Sequence, residues 1–127
     1  MINNIGESLL KKSLDGLWVK QQATTDNIAN SLTPGYKAKT VDFETHLRSA
    51  MKKGLDGKKS ELIRDIEGSS TITKTSEEQS LRLDGNNVDL EKENMELAKT
   101  QLQYMYTVTE LNSYFSKMRS VISEGKK

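Results

Sequence analysis

The 127-residue chain contains no cysteine, one histidine and one proline. Zinc sites draw mainly on cysteine and histidine, so these counts argue against a structural zinc site, and we expect no metal site. Lysine and arginine number 19 against 18 aspartates and glutamates, which leaves a net charge of +1. A nucleic-acid-binding domain carries a clear excess of basic residues, so we expect no nucleic-acid partner.

Long apolar runs are also missing. No segment approaches the roughly 18 consecutive apolar residues that span a bilayer, and polar residues interrupt the N-terminal region where a secretory signal would have its apolar core. We therefore expect neither direct membrane insertion nor a cleaved signal peptide. Hydrophobic residues make up only 34% of the chain, which predicts one domain whose core is thin or completed by a partner.

Catalytic patterns are absent as well. His46 has Asp42 and Ser49 nearby in sequence, but no nucleophile elbow or oxyanion-hole pattern accompanies them. The acidic stretch 84–89 lacks the glutamate that closes an EF-hand loop, because Met95 stands at that position. We interpret it as a turn followed by a helix cap, and we predict no catalytic residues, no cofactor and no enzymatic activity.

Apolar residues recur every three or four positions from about residue 5 to residue 30, which predicts an amphipathic helix about 38 Å long. Gly16 inside this pattern costs roughly 1 kcal/mol relative to alanine. Gln21 and Thr24 occupy positions where apolar residues are expected, which predicts that the second half of the helix is held less firmly. The predicted packing face consists of Leu9, Leu10, Leu14, Leu17 and Ile28.

The last stretch, 89–123, shows the most regular pattern, with positions from Leu90 to Ile122 separated alternately by four and three residues. Asp89 is a suitable N-cap for this second helix. The predicted packing seam consists of Leu97, Tyr104, Val108, Leu111, Phe115, Met118 and Ile122. Met95, Ala98, Leu102 and Met105 form a second apolar row beside it.

These features predict a mainly α fold in which long terminal helices pair as a coiled coil. An antiparallel hairpin within a monomer is the alternative. A two-helix pair would leave the second apolar row facing water, and such a patch usually marks an interface, so we favour self-association or a partner helix.

The region between the helices is predicted to contain a turn and an extended segment over 31–48, then a variable segment over 49–88 that is flexible or carries short strands. The strand candidates are 71–75 and 81–83, where apolar and polar residues alternate. Pro34 and Gly35 occupy the central positions of a type II turn, because proline presets φ and glycine accepts a positive φ.

Residues 25–37 read Thr-Asp-Asn-Ile-Ala-Asn-Ser-Leu-Thr-Pro-Gly-Tyr-Lys. This segment resembles the N-terminal signature of the bacterial flagellar axial proteins, the rod and hook family. Within that family, the short chain and segments 38–44 and 80–91 are similar to a proximal rod protein, although Leu32 stands where the family commonly has asparagine. The matching signature positions are Asn27, Ile28, Ala29, Asn30, Thr33, Pro34, Gly35, Tyr36 and Lys37.

The resemblance implies a non-enzymatic structural subunit of the proximal rod of the flagellar basal body. It implies export by the flagellar type III apparatus without a cleaved signal, and assembly by coiled-coil packing of the terminal helices. The implied partners are other copies of the chain and other rod and basal-body proteins. A soluble coiled-coil adaptor or export chaperone is the alternative, and the signature at 25–37 argues against it.

Overall fold

The computed structural model describes residues 5–54, 58–69, 72–80 and 82–125. Along this part of the chain the elements are α1 (Ile5–Ala29), β1 (Lys39–Asp42), α2 (Glu44–Gly54), α3 (Lys59–Glu67), β2 (Ile72–Thr75) and α4 (Leu90–Gly125). The long terminal helices predicted from the periodicity are confirmed. No helix in the described ranges is both long and apolar enough to cross a membrane.

Helix α4 begins where the sequence predicts. The Asp89 side chain accepts a hydrogen bond from the Lys92 amide at 3.2 Å, and its carbonyl accepts one from the Glu93 amide at 2.9 Å. Glu91 and Glu93 lie in the first turn, where the helix dipole favours negative charge. With 36 residues, α4 is about 54 Å long, against about 38 Å for the 25 residues of α1.

Helices α1 and α4 pack side by side and antiparallel within one chain. The end of α1 meets the start of α4, where the Asn27 amide lies 3.1 Å from the Glu93 carboxylate. Further along, Lys20 pairs with Glu96 at 3.6 Å. The two helices therefore pair within a single chain. This is the antiparallel hairpin that the sequence analysis gave as the alternative.

Each half of α1 contributes three buried residues, so burial does not show the second half to be held less firmly than the first, as the polar residues Gln21 and Thr24 predict. Ala23, Thr24 and Asn27 are all buried in the second half. The Thr24 hydroxyl donates to the Lys20 carbonyl at 2.9 Å, so this polar side chain is satisfied within its own helix. Polar residues with satisfied hydrogen bonds thus form part of the packing face.

Two helices occupy the region that was predicted to be extended, flexible or weakly β. Leu47 of α2 and Leu62 and Ile66 of α3 form a hydrophobic cluster, against which Ile5 and Leu9 of α1 pack. In α2 and in α3 the apolar residues of the cluster recur four positions apart, as Leu47 and Met51 do and as Leu62 and Ile66 do. This helical pattern is short in each case and glycines interrupt it, so the sequence interpretation missed it. This cluster covers the first half of α1, so the thin core is completed within the chain.

A two-stranded antiparallel sheet lies between these helices and the start of α4. It pairs Lys39 with Thr75 and Val41 with Thr73. The strand candidate at 71–75 is thereby confirmed over Ile72–Thr75. The candidate at 81–83 is wrong where it is described, because residues 82–84 form a turn that leads into the positive φ of Gly85; Leu81 lies outside the described residues.

Candidate functional site: the junction of the terminal helices

The candidate site is the junction, which we define as residues 26–39 together with residues 77–80 and 82–93. It contains both segments that carry the family resemblance, and the fold brings them into contact. At its centre is the turn after α1, where the Tyr36 amide donates to the Thr33 carbonyl at 3.2 Å. Gly35 has a φ of 72°, the positive value expected at the third position of a type II turn.

Asn27 ties three segments of the junction together. Its side chain is completely buried. The Nδ2 group donates to the Lys39 carbonyl at 2.9 Å and to Glu93 Oε2 at 3.1 Å. The Oδ1 atom accepts from the Lys39 amide at 2.8 Å and from the Tyr36 hydroxyl at 3.0 Å. One amide thereby fixes the end of α1 relative to β1 and to the first turn of α4, with all four of its hydrogen-bonding positions used.

Asn86, in the second segment of the junction, holds the chain just after α1 by hydrogen bonds. This side chain is 1% exposed. Its Nδ2 group donates to the Asn30 carbonyl at 2.9 Å and to the Thr33 carbonyl at 2.8 Å, and its Oδ1 atom accepts from the Val88 amide at 2.8 Å. Carbonyls beyond the end of a helix lack partners in the helix itself, so Asn86 caps α1 from a distant part of the chain.

Arg82 adds a charged cap beside it. The guanidinium donates to the Ser31 carbonyl at 2.6 Å and to the Val88 carbonyl at 3.3 Å. A cation is favourable at a helix C-terminus because the helix dipole is negative there, and α1 has no basic residue in its own last turn. Arg82 supplies that charge from across the junction.

The two chain segments also run against each other through their backbones. The Gly35 amide donates to the Asp84 carbonyl at 2.7 Å, and the Asn87 amide donates to the Tyr36 carbonyl at 3.2 Å. A Cβ on Gly85, whose φ is 79°, would lie 3.6 Å from the Gly35 Cα. Two left-handed glycines therefore face one another where the segments cross.

Two ionisable groups at the junction are perturbed. Burial raises the pKa of the Tyr36 phenol, which keeps the hydroxyl protonated as a donor to Asn27. Lys39 lies 3.0 Å from Asp26, and this hydrogen-bonded carboxylate raises the pKa of the ammonium group. Lys37 donates to the Gly85 carbonyl. No group of three or more potential metal-ligating side chains is assembled within the ranges given above.

The other signature positions surround this network. The Asn30 side-chain amide donates to the Asp26 carbonyl at 2.8 Å, and its Oδ1 atom accepts from the Thr33 hydroxyl at 3.1 Å. Ile28 is half-buried, whereas Ala29 and Pro34 are exposed. The signature residues therefore divide between buried hydrogen-bonding groups and residues that shape the turn.

The predicted seam residues lie in three environments. Leu17 is buried, and Leu9 packs against the cluster of α2 and α3. Ile122 is exposed. The remaining ones are half-buried: Leu10, Leu14, Ile28, Leu97, Tyr104, Val108, Leu111, Phe115 and Met118.

Sequence reasoning missed the polar centre of the α4 packing face. Thr100 is completely buried, and no described group bonds its hydroxyl. The Gln103 Oε1 and Tyr114 hydroxyl atoms are also buried without a hydrogen-bond partner within the described ranges. The burial pattern through residues 93, 97, 100, 104, 107 and 111 has helical spacing, but an apolar pattern cannot reveal threonine and glutamine on such a face.

The second apolar row of α4 remains uncovered. Met95, Leu102 and Met105 are exposed by 66% to 69% of their surface. Leu102 and Tyr106 form one wall of an open groove of about 820 Å³. The opposite walls come from α1, from α2 and from the residue before α2, chiefly Leu17, Phe43, Leu47 and Met51.

No protein-family model matches the chain. Comparison with curated proteins, however, identifies it as a component of the bacterial flagellar rod. The chain is 36% identical over 121 residues to the flagellar basal body rod protein FlgB of Bacillus subtilis, with 92% of each chain covered. It is 30% identical over 116 residues to FlgB of Escherichia coli and 29% identical over 125 residues to FlgB of Salmonella typhimurium, with 84% of each chain covered. The chain belongs to the FlgB family of flagellar basal body rod proteins.

This family membership confirms the resemblance drawn from residues 25–37. FlgB proteins are structural rod components of the flagellar basal body and are not a family of enzymes. The junction accordingly has the properties of a structural site, since its buried polar groups bond to backbone and to each other.

Proposed function

We propose that the chain is a structural subunit of the proximal rod that polymerises through coiled-coil packing of its terminal helices against neighbouring rod subunits. The intramolecular pair of α1 and α4 is the preformed unit, and the second apolar row of α4 is the surface that a neighbouring helix covers. Other copies of the chain and other rod and basal-body proteins are the proposed partners. Delivery by the flagellar type III apparatus, without a cleaved signal, belongs to the same proposal.

The exposed row is the observation that supports this function. Met95, Leu102 and Met105 follow one another at separations of seven and three residues, the spacing by which one helix contacts another in a coiled coil. Their exposure places apolar side chains in water on a chain whose hydrophobic content is low. Burial of such a row against a neighbour removes this surface from water and favours association.

The proposal is tested by complementing a strain that lacks the gene. Leu102→Asp and Met105→Asp each place a charge on the exposed row, and Gln101→Asp places the same charge on the exposed position beside it. Isolated basal bodies are imaged, motility is scored, and the chain is measured inside and outside the cell. We expect Gln101→Asp to restore rods and swimming, and the two row variants to be exported without forming rods.

Circular dichroism of the purified variants checks that the helices are retained, which is expected because both substituted side chains are exposed. Normal rods containing Leu102→Asp and Met105→Asp chains would exclude this row as the assembly surface. Normal rods in cells that lack the gene, with the chain kept in the cytoplasm of the parent strain, would instead support the adaptor or export chaperone.

A further inference from the structure

The tripeptide Leu-Asp-Gly occurs three times in the chain, at 14–16, 55–57 and 83–85. An aspartate followed by glycine is prone to isomerise, because glycine has no side chain to hinder attack of its amide nitrogen on the aspartate carboxyl carbon. The preceding leucine is the same at all three places, so a difference in reactivity between them comes from the fold. Positions 55–57 lie outside the described residues, which leaves Asp15 and Asp84 to compare.

The isomerisation reaction needs only water. At 84–85, the Gly85 nitrogen forms a bond to the Cγ atom of Asp84, and the hydroxyl of the carboxylic acid leaves with the amide proton as water. The product is a five-membered succinimide ring. Water then adds to one of the two ring carbonyls: addition at the former side-chain carbonyl restores aspartate, and addition at the former main-chain carbonyl gives isoaspartate. In isoaspartate the main chain runs through Cβ and Cγ, and no atom or electron is gained or lost overall.

The first pair, Asp15 and Gly16, lies in the middle of α1. Gly16 is buried, and the ring of Phe43 lies against it. Ring closure requires the peptide group after Asp15 to rotate out of the helix, which breaks helical hydrogen bonds and displaces the Phe43 ring. Asp15 therefore reacts only when α1 itself unfolds.

The second pair, Asp84 and Gly85, lies in an exposed turn of the junction, where three hydrogen bonds hold it. The Gly85 amide donates to the Arg82 carbonyl at 3.2 Å, and the Asp84 carbonyl accepts from the Gly35 amide at 2.7 Å. The Asp84 Oδ1 atom accepts from the Asn86 amide at 3.1 Å. The attacking amide, the carbonyl beside it and the carboxylate are thus all engaged, so the Gly85 nitrogen reaches Cγ only after these bonds break.

These three bonds belong to the junction alone. Residues 82–89 lie in no helix or strand, whereas α1 has 25 residues and packs against the cluster of α2 and α3. Local opening of a segment without regular structure costs less free energy than unfolding a long helix that carries part of the core. The junction therefore opens while α1 stays folded, and this opening releases Asp84 but not Asp15.

We infer that Asp84 is a site of spontaneous isomerisation to isoaspartate, and that the closed junction restrains the reaction. Its rate is set by how often the junction opens. The product adds one carbon, about 1.5 Å, to the main chain where a Cβ on Gly85 would lie 3.6 Å from the Gly35 Cα. An isoaspartyl chain therefore does not rebuild the same crossing, and each opening that leads to reaction leaves a chemical record. The reaction involves no other molecule than water and is independent of the proposed role in the rod.

Peptide mapping of the full chain tests the inference. The purified protein is kept for weeks at neutral pH with and without urea, and isoaspartate at positions 15 and 84 is measured by mass spectrometry with fragmentation that distinguishes the isomers. In urea we expect similar rates at the two positions, because their local sequences match. Without urea we expect Asp84 to react more slowly than it does in urea, but at least about tenfold faster than Asp15.

Two results would overturn the inference. A rate at Asp84 in the folded chain no higher than that at Asp15 would show that only unfolding of the whole chain exposes the site. A rate at Asp84 that urea does not raise would show that the junction does not restrain it. Asp84→Glu checks the origin of the signal, because glutamate would have to close a six-membered ring. We expect this variant to lose the isoaspartate signal of residues 83–92, and an undiminished signal would exclude Asp84 as the site.

Gly35→Val weakens the closed junction from the opposite segment and leaves residues 83–92 unchanged. The positive φ of Gly35 is unfavourable for valine, so we expect the rate at Asp84 to rise about tenfold. Gly125→Val is the matched control, because its φ is not positive and no atom lies within 4 Å of its Cβ position. We expect no change of rate in the control, and an equal rate at Asp84 in both variants would overturn the role of the junction.

Ile66→Val distinguishes local opening from unfolding of the whole chain. Ile66 is fully buried in the cluster that packs on α1, and this cluster stays intact when only the junction opens. The substitution therefore destabilises the closed and the opened chain equally, so we expect the rate at Asp15 to rise several-fold and the rate at Asp84 to stay the same. A rise of the same size at both positions would show that Asp84 reacts through unfolding of the whole chain, and would overturn the inference.

The effect of the product on the junction is measured on chains kept without urea. Chains with isoaspartate at position 84 are separated by chromatography, and their unfolding in urea is compared with that of unreacted chains. We expect a lower midpoint, because the crossing of the two segments is lost, and we expect the Asp84→Glu chain kept for the same time to be unchanged. Equal midpoints of reacted and unreacted chains would overturn the effect on the junction.

Discussion

The ring of Phe43 lies directly against the backbone of Gly16. A Cβ at Gly16 would be 2.3 Å from the Phe43 Cγ and 2.4 Å from its Cδ2. Phe43 is buried, and it immediately precedes α2, so this contact sets how closely the middle of the chain approaches α1. Glycine at this position weakens the helix and at the same time provides the space that the ring occupies.

Gly16→Ala is expected to destabilise the protein by about 1 kcal/mol, since overpacking costs about 1–3 kcal/mol and the gain in helix propensity returns about 1. Urea unfolding followed by circular dichroism measures the change. The same substitution in a Phe43→Leu background should cost less, because the shorter side chain leaves room. A Gly16→Ala chain that is more stable than the parent would show that the ring moves away freely.

Asn27→Asp is expected to lower the free energy of unfolding by about 3 kcal/mol, because breaking a buried polar network is among the most costly substitutions. Aspartate cannot donate to the Lys39 carbonyl or to Glu93, and it brings a second carboxylate close to Glu93. Adding Glu93→Gln should recover part of the loss. Gln22→Glu, an exposed change in the same helix, serves as the control for added negative charge. A cost equal to that of the control would show that the network contributes little.

Gly35→Val is expected to cost about 1–2 kcal/mol through backbone conformation alone. The φ of 72° is unfavourable for valine, yet no atom lies within 4 Å of the Cβ position, so a clash does not contribute. Gly35→Asn should be tolerated better, because asparagine adopts left-handed conformations more readily. Unfolding free energies and swimming of the two variants are compared. Wild-type stability and motility in the valine variant would contradict the type II turn.

Asp42 gives a pH dependence whose sign follows from its contacts. The Thr45 amide in the first turn of α2 donates to its carboxylate at 3.1 Å, and this bond lowers the pKa of Asp42 below its ordinary value of 3.8, with smaller contributions from His46 and Lys74. Because the pKa is lower in the folded state, the stabilisation is complete above the ordinary value and is lost as the pH falls through the folded value.

The stability advantage of the parent over Asp42→Ser is therefore expected to shrink as the pH is lowered from about 6 to about 3. Serine keeps an acceptor for the Thr45 amide and has no titrating group, which makes it the matched control. Unfolding free energies across this range measure the difference. An advantage that stays constant would show that the carboxylate charge does not stabilise α2.

The terminal helices, the cap at Asp89 and the turn at Gly35 follow from the sequence, because each depends on residues that are close together in the chain. The junction does not, because Asn27 and Asn86 are partners only after both segments have folded. The resemblance singled out both segments without showing that they meet. Helices α2 and α3 escaped the periodicity argument since each is too short to establish a repeat.

The packing face of α4 shows a further limit of such reasoning. Thr100 is buried, whereas Leu90 and Ile122, the first and last positions of the predicted periodic pattern, are exposed. The neighbouring helix determines which face of α4 is covered, and α1 is eleven residues shorter than α4. Hydrophobic spacing predicts that a helix has a packing face, but the extent of that face depends on the length of the helix beside it.

The segment that follows α1 and the segment that precedes α4 are joined by a hydrogen bond between Ala38 and Asn87. The Ala38 amide donates to the Asn87 side chain at 2.7 Å across 49 positions of sequence, and β1 and β2 pair just beyond this bond. The chain segment between these two residues is closed at its base, and the free energy of closing a flexible loop rises by only about 0.6 kcal/mol when its length doubles. Insertions between the helices and strands of this segment can therefore alter its length while the register of the two long helices stays the same, provided that the cluster of α2 and α3 on α1 is kept.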